Sequence, residues 1–157
     1  VTPIVMLHGT LASGDTYANT VMRFTSNNYC ASRLWAFDYN GANFGGTLDT
    51  ASLDNFIDEV LQKTNAEKVN LAGHSLGGGF GYSYLNNAAH AAKVKHYVHI
   101  GSGSQSGPAG INGEIPTLNI YSTDDAVVTG TDIPGATNVQ LTGKDHYEVA
   151  TSAETFE

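Results

Sequence analysis

A serine held between glycines, with a strand before it and a helix after it, limits what this chain can fold into more than any other feature. The pentapeptide Gly73-His74-Ser75-Leu76-Gly77 follows the apolar run Val69-Asn70-Leu71-Ala72 and precedes Gly78-Gly79-Phe80-Gly81-Tyr82-Ser83-Tyr84-Leu85. The first run reads as a short strand and the second as the start of a helix. A chain that leaves a strand and enters a helix this abruptly has almost no room for side chains beside the turn, hence Gly73 and Gly77. Alone, G-x-S-x-G is as readily an ordinary Gly/Ser turn. Between a strand and a helix it has the context of a nucleophile elbow, which lifts the Ser75 hydroxyl above the carboxyl edge of a sheet.

The rest of the chain alternates in the same way. Apolar runs over 3–7, 34–37, 94–100, 117–121 and 138–141 predict strands, and a helix is expected near 16–25. Leu53, Phe56, Ile57, Val60 and Leu61 recur at helical spacing and predict a helix over about 51–64. Such alternation implies an α/β fold with about six mostly parallel strands and helices on both faces. Ligands on such sheets sit at the carboxyl ends of the strands, where each motif of interest falls. The Gly-rich stretch 101–113 reads as a surface loop.

With 157 residues and neither repeat nor linker, residues 1–157 are expected to form a single catalytic domain. Val1-Thr2-Pro3 leads straight into a strand, and Ser152-Ala153-Glu154-Thr155-Phe156-Glu157 reads as a helix cap and first turn, so truncation at one or both ends is expected. The net charge of -8, with only 7 Lys plus Arg, argues against nucleic acid and anionic membranes as partners. Cys30 is the only cysteine, which excludes an internal disulfide and a cysteine metal cluster. It is expected to be a half-buried thiol. No apolar stretch reaches transmembrane length.

A serine hydroxyl needs a base, and the base needs a group that fixes its tautomer. On a sheet of this kind the chain order is serine, acid, histidine. Of the histidines after Ser75, His90 falls in a helix or at its end, and His96 and His99 fall in or beside a strand. His146, in the loop Thr142-Gly143-Lys144-Asp145-His146-Tyr147 after the last strand, is the candidate base. The acid should leave the preceding strand, where Asp124 and Asp125 both stand. Asp125, directly before Ala126-Val127-Val128, is chosen, with Asp124 as a loop cap. Asp145 reads as surface charge.

Acyl transfer also needs donors for a developing oxyanion. The Leu76 amide is one candidate. The Thr10 amide, after the His8-Gly9 step that ends the first strand, is the other, and the Thr10 hydroxyl could supply a third bond. His8 is expected to hold this loop. From position alone, Leu11, Tyr39, Phe44, Val127, Val128 and Tyr147 are candidates for a substrate groove.

Together these segments resemble the α/β-hydrolase superfamily, and within it the small bacterial lipases. Tyr121-Ser122-Thr123-Asp124-Asp125-Ala126-Val127-Val128 resembles the segment carrying the family's acid, at Asp125. Asn138-Val139-Gln140-Leu141-Thr142-Gly143-Lys144-Asp145-His146 resembles the one delivering its histidine. The likeness extends both to compact, lidless Bacillus-type lipases and to larger lipases whose catalytic domain precedes a C-terminal β-domain. Met22-Arg23-Phe24-Thr25-Ser26-Asn27-Asn28-Tyr29 and Thr151-Ser152-Ala153-Glu154-Thr155-Phe156 are closer to the larger lipases.

Between Tyr39 and Ala51 there is no room for the long helical lid of those relatives, and no later insertion forms a cap. The resemblance implies a serine esterase or lipase that acts through an acyl-enzyme with no cofactor and no metal. Its substrates would be short- to medium-chain esters, extending to longer lipids or polyesters, and a peripheral contact with a lipid interface and a secreted or extracellular location are expected. A thioesterase or amidase of the same superfamily is the alternative. Another is a non-catalytic fragment that needs a partner segment, such as a missing C-terminal piece of its own precursor.

Overall fold

The first strand, β1 (Ile4–Leu7), shows how one sheet is covered on both sides: Val5 and Leu7 enter one apolar layer, Ile4 and Met6 the other. This is the period-two alternation of a strand between two helical layers. A computed structural model describes residues 1–42 and 47–156. The remaining strands are β2 (Leu34–Phe37), β3 (Val69–His74), β4 (Val94–Ile100), β5 (Thr117–Ser122) and β6 (Thr137–Leu141). All pair in parallel, in the order β2-β1-β3-β4-β5-β6.

The helices are α1 (Ala18–Ser26), α2 (Thr50–Thr64), α3 (Leu76–Leu85), α4 (Ala88–Ala91) and α5 (Glu148–Thr151). The helix expected near 16–25 divides into a 3-10 turn over Gly14–Tyr17 and α1 proper. The segment after Ser152 is a 3-10 turn over Ala153–Phe156. The short α5, which has too few residues to show a periodicity, has no counterpart in the sequence reading.

The start and stop of α2 follow from its ends. Asp49 accepts from the Ser52 amide at 3.0 Å, which satisfies an otherwise orphan donor of the first turn. Asn65, at φ 48°, takes the left-handed conformation that ends the helix. Between these caps Leu53, Ile57 and Val60 are fully buried against Val5, Leu7 and Leu71 of the sheet and Phe80, Tyr84 and Leu85 of α3. Each such side chain contributes about 1.5–3 kcal/mol relative to exposure. On the opposite face Met6 and Ala72 pack with Tyr17 and Val21, while Ile100, Ile120 and Leu141 pack with Val149 and Ala150 of α5.

The order of connection positions the site. From β1 the chain reaches β2 by way of α1 on one face. It then reaches β3, on the other side of β1, by way of α2 on the opposite face. The loops that leave β1 and β3 therefore diverge, and the crevice between their carboxyl ends is where such a sheet accepts a ligand.

Two expectations are corrected. Cys30 is exposed, because it lies in the connection after α1, outside both apolar layers. The stretch 101–113 is not wholly superficial: Ser102 and Ala109 are buried, and the Ala109 amide donates to Thr117 Oγ1 at 2.9 Å. Among the described residues no helix or strand stands between β2 and α2, so no lid is evident there, and no helix is long and apolar enough to cross a membrane. Phe44 lies outside the described residues.

Candidate active site

Ser75 stands between β3 and α3, capping the helix, with φ 54° and ψ -121°, a conformation that costs a residue with a side chain on the order of 1–3 kcal/mol. The surroundings hold it there. Its amide donates to the Ile100 carbonyl at 3.0 Å, and its carbonyl accepts from Ser102 Oγ at 2.6 Å and from the Gly78 amide at 2.9 Å. A β-carbon on Gly73 would run into the Gly77 carbonyl, and one on Gly77 into the carbonyls of Leu7 and His8. The two flanking glycines are thus required by close backbone approach.

Ser75, His146 and Asp125 form one hydrogen-bonded line. His146 Nε2 is 2.9 Å from Ser75 Oγ, and His146 Nδ1 is 2.7 Å from Asp125 Oδ2. A carboxylate can only accept, so Nδ1 carries the hydrogen and Nε2 presents its lone pair to the serine hydroxyl. Asp125 Oδ1 accepts from the amides of Val127 at 2.8 Å and Val128 at 2.9 Å. Burial alone would raise this carboxyl's pKa, but the His146 N–H and the two amides outweigh it and hold the group below the ordinary carboxylate range.

Asp124 is exposed, and its Oδ2 accepts from the Gly143 amide at 2.7 Å, tying the loop after β5 to the loop after β6. Asp145 does not face the imidazole: its Oδ1 accepts from the Tyr147 and Glu148 amides, both at 2.9 Å, at the start of α5.

The amides of Thr10 and Leu76 have no protein acceptor among the described residues. Both residues line the open cleft that contains Ser75, together with Leu48, Gly79, Ser83, Ser102, Gln105 and Val128. His8 braces this loop, with Nδ1 donating to the Gly9 carbonyl at 2.9 Å and Nε2 accepting from the Tyr39 amide at 3.3 Å.

Of the groove candidates, Val128 lines the cleft, while Leu11, Val127 and Tyr147 are exposed on the loops around it. Tyr39 does not belong to the groove. Its hydroxyl donates to the His8 carbonyl, its ring stacks on His8 at 4.2 Å, and it packs edge-on to Phe80 at 4.9 Å, so it supports the loop after β1 from the core side.

Sequence reasoning missed several lining residues. Gly79 and Ser83 stand four and eight residues beyond Ser75 on α3, a spacing that shares a helix face and could have revealed them. Ser102 lies at the carboxyl end of β4 and was accessible to the strand-end rule. Leu48 and Gln105 carry no sequence signal. Among the described residues no three His, Cys, Asp or Glu side chains converge as metal ligands.

Burial also acts on His74, between Gly73 and Ser75, and depresses its pKa from 6.5 to about 4. A histidine depressed on folding binds its proton more readily when unfolded. Its stabilising contribution is complete above pH 6.5 and is lost as pH falls through about 4. Stability should therefore fall across that window by up to roughly 3 kcal/mol from this group. Asp125, also depressed, adds a loss of the same sign below its ordinary range. Thermal melts between pH 7 and pH 4 check this, and the slope should flatten in His74→Gln. An unchanged slope in that variant would remove His74 as the cause.

Residues 2–112 match the alpha/beta hydrolase fold family, and the chain belongs to it. Among solved structures, the fold is similar to that of a mature-form lipase from Bacillus licheniformis, with a TM-score of 0.72 and 16% identity over 99% of this chain and 89% of that one. It is likewise similar to a pyrethroid hydrolase, with a TM-score of 0.72 and 18% identity over 99% and 94% of the two chains. For a naproxen esterase from Bacillus subtilis the TM-score is 0.67 and the identity 14%, over 99% and 80%. At these identities the likeness is one of fold.

Proposed function

We propose that the protein is a serine carboxylester hydrolase of the esterase or lipase type. The observation that carries this reading is the unbroken line from Ser75 Oγ through His146 to Asp125 at the head of α3. Ser75 Oγ adds to the ester carbonyl as its proton passes to His146 Nε2. Asp125 stabilises the imidazolium, and the Thr10 and Leu76 amides hold the tetrahedral oxyanion. Collapse expels the alcohol, which takes the proton from Nε2 and leaves an acyl group on Ser75. Water then adds to the acyl carbon with Nε2 again taking the proton. The second collapse releases the carboxylic acid and returns the proton to Ser75 Oγ.

Esters with short to medium apolar chains are the proposed substrates. Leu11 is 74% exposed, Val127 70% and Tyr147 59%, and all three border the catalytic edge, where an apolar chain would cover them. The fold neighbours named above include a lipase and an esterase, which agrees with this class.

A p-nitrophenyl series from acetate to palmitate, run beside a thioester and an anilide of the same acyl group, tests the reading. The expected maximum falls at short to medium oxygen esters. The double variant Leu11→Ser/Val127→Ser should raise KM about threefold to tenfold for the longer chains and leave acetate unaffected. A thioester or anilide preferred over the oxygen ester would move the assignment to a thioesterase or amidase. Blank rates on every substrate would favour a fragment that needs a partner segment.

A further inference from the structure

His74 is buried where three strand ends meet. Its Nε2 lies 2.8 Å from the backbone carbonyl of His146. A carbonyl only accepts, so Nε2 carries the hydrogen. Its Nδ1 is buried without a partner among the described residues. The ring occupies a slot walled by glycines: a β-carbon on Gly9 would lie 3.2 Å from Nδ1, and one on Gly101 would lie 3.5 Å from Cδ2. The His74 and His146 rings are 4.8 Å apart.

An imidazole with one orphaned buried nitrogen is a poor choice for stability alone, since an unsatisfied polar atom costs about 1–3 kcal/mol. An apolar side chain would fill the slot without that cost. What the histidine adds is a donor aimed at one atom, the His146 carbonyl.

That carbonyl has reason to need it. His146 stands in the loop after β6, an edge strand whose residues are mostly exposed. The amide of Ala150, four residues on, donates instead to the Tyr147 carbonyl at 3.1 Å, so α5 leaves the His146 carbonyl free. Asp124 anchors Gly143, and Lys144 pairs with Glu154 at 2.8 Å, but both bonds lie before His146 and tie it to segments outside the elbow. The bond from His74 ties the backbone of the base to the residue adjacent to the nucleophile.

We propose that His74 is a positioning residue: its Nε2–H grips the His146 backbone carbonyl and sets the separation between the imidazole and Ser75 Oγ. This rests on the role given to His146 above. Protonation of His74 would add a hydrogen on Nδ1 with no acceptor and a charge beside the imidazolium formed in the reaction. Burial keeps the ring neutral, its pKa depressed to about 4.

The test compares His74→Leu and His74→Phe, which remove the donor, with His74→Gln, whose amide places a donor at a similar reach. Two donor-less variants guard against one failing to fold, and thermal melts identify those that are folded. Folded donor-less variants should lose about 10- to 100-fold in kcat with KM changed less than about threefold, because misplacement of the base by about an ångström costs that much. His74→Gln should recover most of the loss.

Proton NMR provides a second readout that needs no substrate. The hydrogen between His146 Nδ1 and Asp125 should give a downfield resonance in the parent and in His74→Gln. It should broaden or vanish in the donor-less variants as the loop loosens. Wild-type kcat and an unchanged resonance in a folded donor-less variant would overturn the proposal. So would equal damage in His74→Gln. If the parent hydrolyses no ester while the resonance still depends on the donor, the ester reading fails and the positioning role stands.

Discussion

Replacement of Ser75 by alanine is expected to lower turnover on p-nitrophenyl butyrate by about three to six orders of magnitude, leaving only what binding and oxyanion stabilisation contribute. Alanine removes the hydroxyl proposed as the nucleophile and leaves His146 Nε2 facing an empty position, while Asp125 and its amide partners stay in place. The loss should appear in kcat, with the melting temperature little changed. Ser75→Gly should be equally inactive yet more stable than Ser75→Ala by about 1 kcal/mol, because glycine adopts the positive φ of 54° without a β-carbon penalty. Comparison of the two melts measures the strain held at the elbow. A rate in Ser75→Ala within tenfold of the parent would show that Ser75 is not the nucleophile.

Asp125→Asn should cost on the order of 10⁴ in kcat, through the tautomer of His146. The carboxylate serves two kinds of donor at once: Oδ1 takes the Val127 and Val128 amides, and Oδ2 takes His146 Nδ1–H. An asparagine keeps only one acceptor oxygen. With that oxygen facing the two amides, its NH₂ points at Nδ1 and forces the imidazole hydrogen onto Nε2, where it blocks proton transfer from serine. The flipped amide would set NH₂ against two backbone donors and is disfavoured. Asp124→Asn is the control. Its exposed side chain accepts from Gly143, an asparagine can still do so, and kcat should stay within about threefold. A severe loss at Asp124→Asn with a mild one at Asp125→Asn would reverse the assignment of the acid.

The depressed pKa of Asp125 and that of His74 have the same consequence for stability, although one group is an acid and the other a base. In each case the unfolded chain binds more protons than the folded one as pH falls. The same contacts that organise the candidate site therefore make the fold sensitive to acid. The polar networks around Ser75 draw in Tyr39, His8 and Ser102, so core substitutions at these positions should affect rate as well as stability.

What the sequence determined by itself was carried by neighbours along the chain. The α/β alternation is written in the periods of short apolar runs and in the Leu53, Ile57, Val60 stripe, and the strand–Ser75–helix turn is written in its glycines. Given the chain order of serine, acid and histidine known for such a sheet, the strand ends single out Asp125 and His146, and the structure brings them and Ser75 into one hydrogen-bonded line.

What only the tertiary structure decided depends on residues far apart in sequence. The donation of Ser102 to the Ser75 carbonyl spans 27 positions, the bond from Tyr39 to the His8 carbonyl 31, and the bond from His74 to the His146 carbonyl 72. Which side chain meets which across such spans is set by strand order and by the face on which each helix crosses. Neither is encoded in local periodicity. Tyr39, placed near the catalytic edge by its position after β2, could therefore turn into the core, and Cys30, read as half-buried, could lie in the open. His74 fills an unspecified position of the G-x-S-x-G pattern, and only the fold brings the His146 carbonyl to its Nε2.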